Sequence, residues 1–454
     1  PFMRGAKVWL DNFKLRVSRG RLGNNSIGNY EWQQTYGLVN YPFNSRTNLG
    51  LAPTTQANID LHWEETTNTN FGVNFGILKN RLSGTIDYYN RETSGILYRP
   101  SIMLIYGNIE AARQNIAEVT NKGLEMQLTW NDRINDFYYS ITGNFAYNKN
   151  KVTKYKGKLI RGWEMDEDGN KIYNTNIGDV STGGTNRILE GYMINEYYML
   201  QPYQGDQNYF NQDGSVNPDG GPKDGMIRTE DDMKWLNAMS NAGYSFYPNQ
   251  RIGKDGIWYG DYIYADLNGD GIYGNVYDND FRGCSSVPKW NFGALLSAGW
   301  RGFDFSMNWY GVVGNKLYFY RNGHNASTTI KGYAIGQDVA NDRYFYDPDN
   351  QTDPRTNLSS NNPRLTNNSG SSQSESTNTK WLYKGDFLKL KNLTFGYTVP
   401  KNYVQKIYVQ NIRVFFSGEN LLTITGYPGI DPEMRASIDY LTYRQLAIGV
   451  NVTF

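Results

Sequence analysis

One cysteine and two histidines in 454 residues remove several chemistries at once. A lone thiol, Cys284, excludes an internal disulfide framework and a cysteine-based zinc site. His62 and His324 stand far apart, without cysteine or carboxylate spacing around them. The chain has no Gly-x-Ser-x-Gly elbow, no His-Glu-x-x-His pair and no phosphate-binding glycine loop. Net charge is only +1, so no broad field attracts nucleic acid. Leu- and Ala-rich helical stretches are scarce. No run reaches the roughly 18–20 apolar residues of a membrane-spanning helix. The opening "PFMRGAKVWL" carries no secretory signal and does not begin with Met, so the chain reads as a piece of a longer or processed protein.

What is abundant points elsewhere. Aromatics make up 15% of the residues, with 37 Tyr, and there are 48 Gly. The hydrophobic fraction is 39% and the mean hydropathy −0.65. An all-β protein has this composition, whether soluble or spanning an outer membrane. In hydrocarbon every backbone polar group must be paired, and a closed barrel does this as well as a helix, with only a dilute, alternating signal.

That alternation runs from end to end. Phe13, Leu15 and Val17 alternate with Lys14, Arg16 and Ser18. Phe71, Val73, Phe75 and Ile77 precede a tight turn at Lys79–Asn80, and Leu82, Ile86 and Tyr88 follow it, which predicts a hairpin. "GLEMQLTWND" and "DFYYSITGNFAYN" predict a second. "NFGALLSAGWRGFDFSMNWYG" predicts a third, with Phe303, Phe305, Met307 and Trp309 on one face. "FLKLKNLTFGYTVP", "NIRVFFSGENLLT" and the closing "QLAIGVNVTF" complete the series. Roughly twelve to fourteen strands are expected, many about ten residues long, as a tilted strand needs to cross a bilayer.

Connections alternate between very short turns and long polar segments, such as 163–174, 210–235 and 366–380. A propeller or sandwich spreads its loops more evenly, and no propeller-like period is visible. The fold expected is therefore all-β: a transmembrane antiparallel β-barrel whose inner face is wet. Glu125, Lys389 and Lys391 fall on that inner face. Leu446, Ile448, Val450, Val452 and Phe454 make the terminal strand look like a barrel-insertion signal, because an exposed strand edge offers unpaired backbone groups. In a closed barrel such a strand pairs with the first one.

Two further sets of residues are candidate sites. In "DLNGDGIYGNVYDND", Asp266, Asn268 and Asp270 fall at alternate positions, and Gly271 permits the sharp turn of an EF-hand-type loop. The Ile272 carbonyl adds a possible ligand. Tyr277 stands where the closing Glu belongs, leaving Asp278 or Asp280 to substitute. The expected ion is Ca²⁺ in a structural role. The loop aromatics Trp163, Trp235, Trp258 and Tyr262 are candidates for stacking on sugar rings or peptide side chains.

Several segments, in order, resemble the SusC-like (SusC/RagA) TonB-dependent outer-membrane transporters of Bacteroidetes. The strongest is "WLYKGDFLKLKNLTFGYTVPKNYVQKIYVQNIRVFFSGENLLTITGYPGIDPE" at 381–433. "WEETTNTNFGVNFGILKNRLSGTIDYYNRETSGIL" at 63–97, "NKGLEMQLTW" at 121–130 and "DLNGDGIYG" followed by "VPKWNFG" match earlier parts. The resemblance implies that residues 1–454 are the C-terminal portion of a 22-stranded barrel, with long extracellular loops and short periplasmic turns. The N-terminal plug, the TonB-contacting segment and the first strands are then absent from this chain. It further implies active import of an oligosaccharide or peptide nutrient, a SusD-like surface lipoprotein as lid, the TonB complex as energy source and outer-membrane lipid around the barrel; the missing catalytic motifs read against an enzyme. A passive porin, a structural barrel and a soluble carbohydrate-binding β-protein are the alternatives.

Overall fold

The computed structural model describes residues 9–100, 105, 107, 109–319, 337–365, 373–435 and 442–454. Its frame is one ten-stranded antiparallel sheet in which every strand pairs with its neighbour in sequence. The strands are β1 (Leu10–Asn24), β2 (Glu64–Ile77), β3 (Leu82–Tyr98), β4 (Gln114–Ile134), β5 (Phe137–Lys154), β6 (Trp290–Trp300), β7 (Phe303–Val313), β8 (Phe387–Thr398), β9 (Asn411–Thr425) and β10 (Gln445–Thr453). The outer edges of β1 and β10 face no partner among the described residues, so this part of the wall is open.

Ten strands is fewer than the alternation predicts. Residues 35–55 add two further strands outside that sheet. They form a regular hairpin, Thr35–Phe43 with Arg46–Thr55, but β1 pairs directly with β2 and leaves that hairpin outside the wall. Period-two alternation reports a ribbon with two unlike faces. It does not report which sheet the ribbon joins.

Turns and loops segregate to opposite ends. At one end the connections are 78–81, 135–136, 301–302 and 399–410; at the other they are 25–63, 99–113, 155–289, 314–386 and 426–444. The four-residue turn 78–81 holds Leu78, Lys79 and Asn80 all at positive φ, near 57°, 59° and 56°.

Pleating divides the wall into two faces. On the outer face one rung crosses seven strands near the loop end: Val17, Phe71, Tyr88, Leu124, Tyr147, Trp290 and Val313. Near the turn end a second runs Ile134, Phe137, Trp300, Phe303, Tyr397, Val414 and Val450. Tyr147 and Trp290 have ring centroids 4.2 Å apart in the first, and Phe303 and Tyr397 4.6 Å apart in the second. With a rise of roughly 3.3 Å per residue and a strand tilt near 40°, Phe137 and Tyr147 put the rungs about 25 Å apart, the height of a barrel's apolar band. Between them stand Ile141, Leu296 and Met307, side by side.

The inner face is polar: Asn74, Asp87, Gln127, Asn144, Asn291 and Asn308 point inward. At two places an arginine reaches a carboxylate two strands away. Arg16 on β1 bonds Asp87 on β3 at 2.7 Å, passing over Gly72 of β2. Arg413 on β9 bonds Asp304 on β7 at 2.5 Å, passing over Gly396 of β8. A Cβ at Gly396 would lie 2.6 Å from both the Arg413 guanidinium and the Asp304 carboxylate, so any side chain there would push the bridge aside.

Candidate functional site

Above the loop end of the wall, segment 155–289 and the described parts of 314–386 fold together into a cap with its own core. Helix α1 (Glu230–Asn241) begins at Thr229, whose hydroxyl accepts from Asp232 N while the Asp232 carboxylate accepts from Thr229 N, a reciprocal capping box. The helix buries Trp235, Leu236 and Met239 against Tyr203, Ile227, Phe246 and Tyr262. The second long segment docks on the first. Arg364 bonds Asp261 at 2.9 Å, the Tyr344 hydroxyl donates to Arg228 O at 2.6 Å, and the Tyr262 hydroxyl donates to Asn361 O at 2.9 Å.

This core changes the reading of the loop aromatics. Trp235 is 0% and Tyr262 2% exposed, so both are core residues whose ring faces are covered. Trp235 also donates its indole N–H to Asn217 O at 2.7 Å. Trp258 is half-buried against the same core. Trp163 keeps 38% exposure, but Lys171 lies 4.8 Å over its ring and its N–H donates to Asn268 O at 2.8 Å. The four candidates do not converge on one surface.

The Asp/Asn/Gly loop is closed by its own main chain. Asp266 accepts from Gly269 N at 2.7 Å and Gly271 N at 2.9 Å, and Asp270 from Ile272 N at 2.8 Å. Both oxygens of Asp278 are spent: one accepts from Leu267 N at 2.6 Å, the other from Gly274 N at 2.8 Å and Asn275 N at 3.0 Å. Burial outweighs these bonds and pushes the Asp278 carboxyl up to about 6. Hard oxygen donors suit Ca²⁺, but the set that remains is Asp266, Asn268, Asp270 and the Ile272 carbonyl. Among the described residues no cluster of three or more His, Cys, Asp or Glu side chains is placed to hold an ion.

The densest charge cluster sits at the mouth itself. Lys389 points inward from β8, opposite Tyr310 on β7 and Thr423 on β9. The described parts of loop 426–444, residues 426–435 and 442–444, dip over it. Lys389 Nζ lies 2.6 and 2.7 Å from the two Asp431 oxygens and 2.6 Å from Glu433. A bulge between Leu390 and Asn392 takes Lys391 out of the ladder, and it reaches Glu433 at 2.8 Å. Asp431 also accepts from Glu433 N at 2.9 Å and from the Thr442 hydroxyl at 2.6 Å. Burial pushes the Asp431 carboxyl up, but the bonds from Lys389, Thr442 and Glu433 N outweigh it and hold the group below its ordinary range. Lys389 is 1% exposed, so this is a buried ionic latch between wall and loop. The sequence places Lys389 and Lys391 inward; their partners, forty-odd residues on, have no signal in the pattern.

Below the latch the inner wall is wet. One cavity of about 330 Å³ is lined by Asp87, Glu125, Gln127, Asn144, Asn291 and Tyr310, and its neighbour of about 430 Å³ by Asn308, Tyr310, Lys391, Asn392 and Glu419. The terminal residues Leu446, Ile448, Val450 and Val452 lie on the outer face of β10 against β9, and Phe454 follows the end of the strand.

An apolar outer band between aromatic rungs, a polar inner face, and turns and folded loops at opposite ends define an outer-membrane β-barrel wall. Residues 8–225 match the family model described as TonB dependent receptor-like, beta-barrel. The chain is 27% identical over 98% of its length to TonB-dependent receptor P3 of Formosa agariphila, and 25% identical over 97% to the TonB-dependent receptor SusC of Bacteroides thetaiotaomicron. It spans only 40% and 37% of those two relatives. A solved structure of the RagAB peptide transporter aligns with 98% of the chain and 41% of its own at 22% identity, with a TM-score of 0.64. Over residues 8–225 the chain thus matches the TonB-dependent receptor β-barrel family, and along nearly its whole length it is similar to the SusC-like receptors of the outer membrane.

Proposed function

We propose that this chain is the C-terminal barrel portion, over residues 1–454, of an active importer that takes up an oligosaccharide or peptide nutrient, energised through TonB and covered by a SusD-like lipoprotein. The observation that carries the reading is the alignment of nearly the whole chain with SusC-like receptors. The wet inner wall beneath a folded cap supports it. RagAB, of similar fold, is a peptide transporter, which keeps peptide beside oligosaccharide as cargo. The reading assigns no catalytic step to the chain.

The test uses the full reading frame. Cells carrying it should accumulate a labelled oligosaccharide or peptide from a defined pool, and uptake should stop when the inner-membrane proton gradient is collapsed. Uptake that persists without the gradient would support a passive porin instead.

Ca²⁺ is the one cofactor in this reading, with a structural role at Asp266, Asn268, Asp270 and the Ile272 carbonyl. Chelation should then lower the thermal transition of the cap by roughly 2–4 °C for each ~1 kcal/mol of lost binding. A transition that does not move in chelator or in added Ca²⁺ would remove the ion.

A further inference from the structure

Two residues toward the loop end from the Tyr147 rung, the outer face changes character. The next rung is Arg19, Thr69, Asn90, Lys122 and Lys149. Lys122 on β4 stands directly opposite Lys149 on β5, and Lys151 follows on the same face, opposite Thr120. Like charges directly opposite destabilise a strand pair. Among the described residues none of the three ammonium groups has a hydrogen-bond or ion-pair partner. Two carboxylates stand nearby without pairing with the three lysines: Glu92, opposite Thr120 on the same face, accepts from Asn90 at 2.8 Å, and Glu118 faces Lys154 at 3.5 Å.

The wall is also parted here. Asn148 N bonds Lys289 O at 2.9 Å, and the next main-chain bond on that edge of β5 is Val152 N to Tyr192 O at 2.8 Å. The gap at residues 149–151 opens a cavity of about 400 Å³ lined by Lys149, Lys151, Lys289 and Tyr192.

We propose that Lys122, Lys149 and Lys151 form a binding site for the phosphorylated headgroup of an outer-leaflet lipid. Depth argues for lipid. The apolar band ends at Tyr147 and Trp290, so groups one rung above it stand at headgroup level, facing the bilayer. Charge argues for phosphate. Directly opposite strand positions have Cβ atoms about 5 Å apart and diagonal ones about 7–8 Å, which brings three flexible ammonium groups within reach of one phosphate. The anion offsets the repulsion that the strand pair otherwise carries.

The experiment uses the full-length protein in zwitterionic nanodiscs, with a synthetic diphosphorylated acyl glycolipid, its dephosphorylated form and inorganic phosphate as probes. The triple variant Lys122→Gln, Lys149→Gln, Lys151→Gln should hold the phosphorylated glycolipid about 100-fold more weakly, while both proteins treat the dephosphorylated form alike. Lys154→Gln, on the same strand and already paired with Glu118, should retain it as the unsubstituted protein does. Heat-modifiable mobility checks that each variant is folded. Equal retention by the triple variant would overturn the proposal, as would equal loss in Lys154→Gln. So would an unsubstituted protein that binds inorganic phosphate but retains no phosphorylated lipid.

Discussion

Replacing Lys389 by Met in the full-length protein should release loop 426–444 from the wall. Lys389 is buried and satisfies both oxygens of Asp431 and one of Glu433. Removing one partner of such a cluster leaves uncompensated buried charge, a loss of about 3–5 kcal/mol. The wall itself, held by main-chain ladders, should keep its heat-modifiable mobility. Amide exchange in 427–435 should then rise about 100-fold or more. Asp431→Asn in the same background should restore part of the protection, because it removes the stranded charge. Lys391→Met should cost far less, about 1 kcal/mol or below, since Lys391 is 30% exposed and meets only Glu433. The pH dependence has a definite sign. Asp431 is held below its ordinary range, so its stabilisation is fully present above about pH 4 and is lost only as pH falls below that. Unchanged exchange in Lys389→Met would show that the loop is held by other contacts, such as the packing of Tyr427 against Leu317 and Phe319.

Arginine at neighbouring positions of β6 should have opposite outcomes. Leu296 faces outward between Ile141 and Met307, near the middle of the apolar band. Ser297 faces inward between Ser140 and Ser306. Leu296→Arg should destabilise the barrel by about 2–4 kcal/mol, the cost of a cation at the bilayer midplane. Ser297→Arg enters a wet lumen and should cost about 1 kcal/mol or less. Denaturant unfolding in lipid vesicles reads both. Equal costs would mean that the two faces meet the same medium.

Sequence reasoning reached the wall because a strand's two faces meet different solvents, and Phe303, Phe305, Met307 and Trp309 against Asp304, Ser306 and Asn308 record that difference directly. It reached the short turns for the same reason: Lys79–Asn80 interrupts the alternation. The hairpin 35–55 shows the limit: Leu49 and Leu51 alternate on one strand, but Tyr36 and Leu38 oppose Val39, Tyr41 and Phe43 across the two faces of the other, and neither strand joins the wall. The cap was least legible. Trp235 and Tyr262 lie in long connections without strand-length alternation, and only tertiary folding buries them. The latch was half visible: Lys389 and Lys391 were placed on the inner face, but the bulge that aligns them and the return of Asp431 and Glu433 depend on contacts distant in sequence. The sequence offers Asp278 as a loop carboxylate but does not reveal that its two oxygens accept from Leu267, Gly274 and Asn275 N, because those turns form only in the folded loop.

The claim on which the rest depends is that lipid covers the face bearing Ala294, Leu296 and Ala298, while Leu295 and Ser297 face the lumen. The direct measurement couples a fluorophore to single cysteines at these five positions, with Cys284 replaced by Ser, in vesicles containing brominated lipid. Strong quenching at 294, 296 and 298, with weak quenching at 295 and 297, is the result this structure predicts. Quenching that fails to alternate, or that is absent at all five positions, would contradict it.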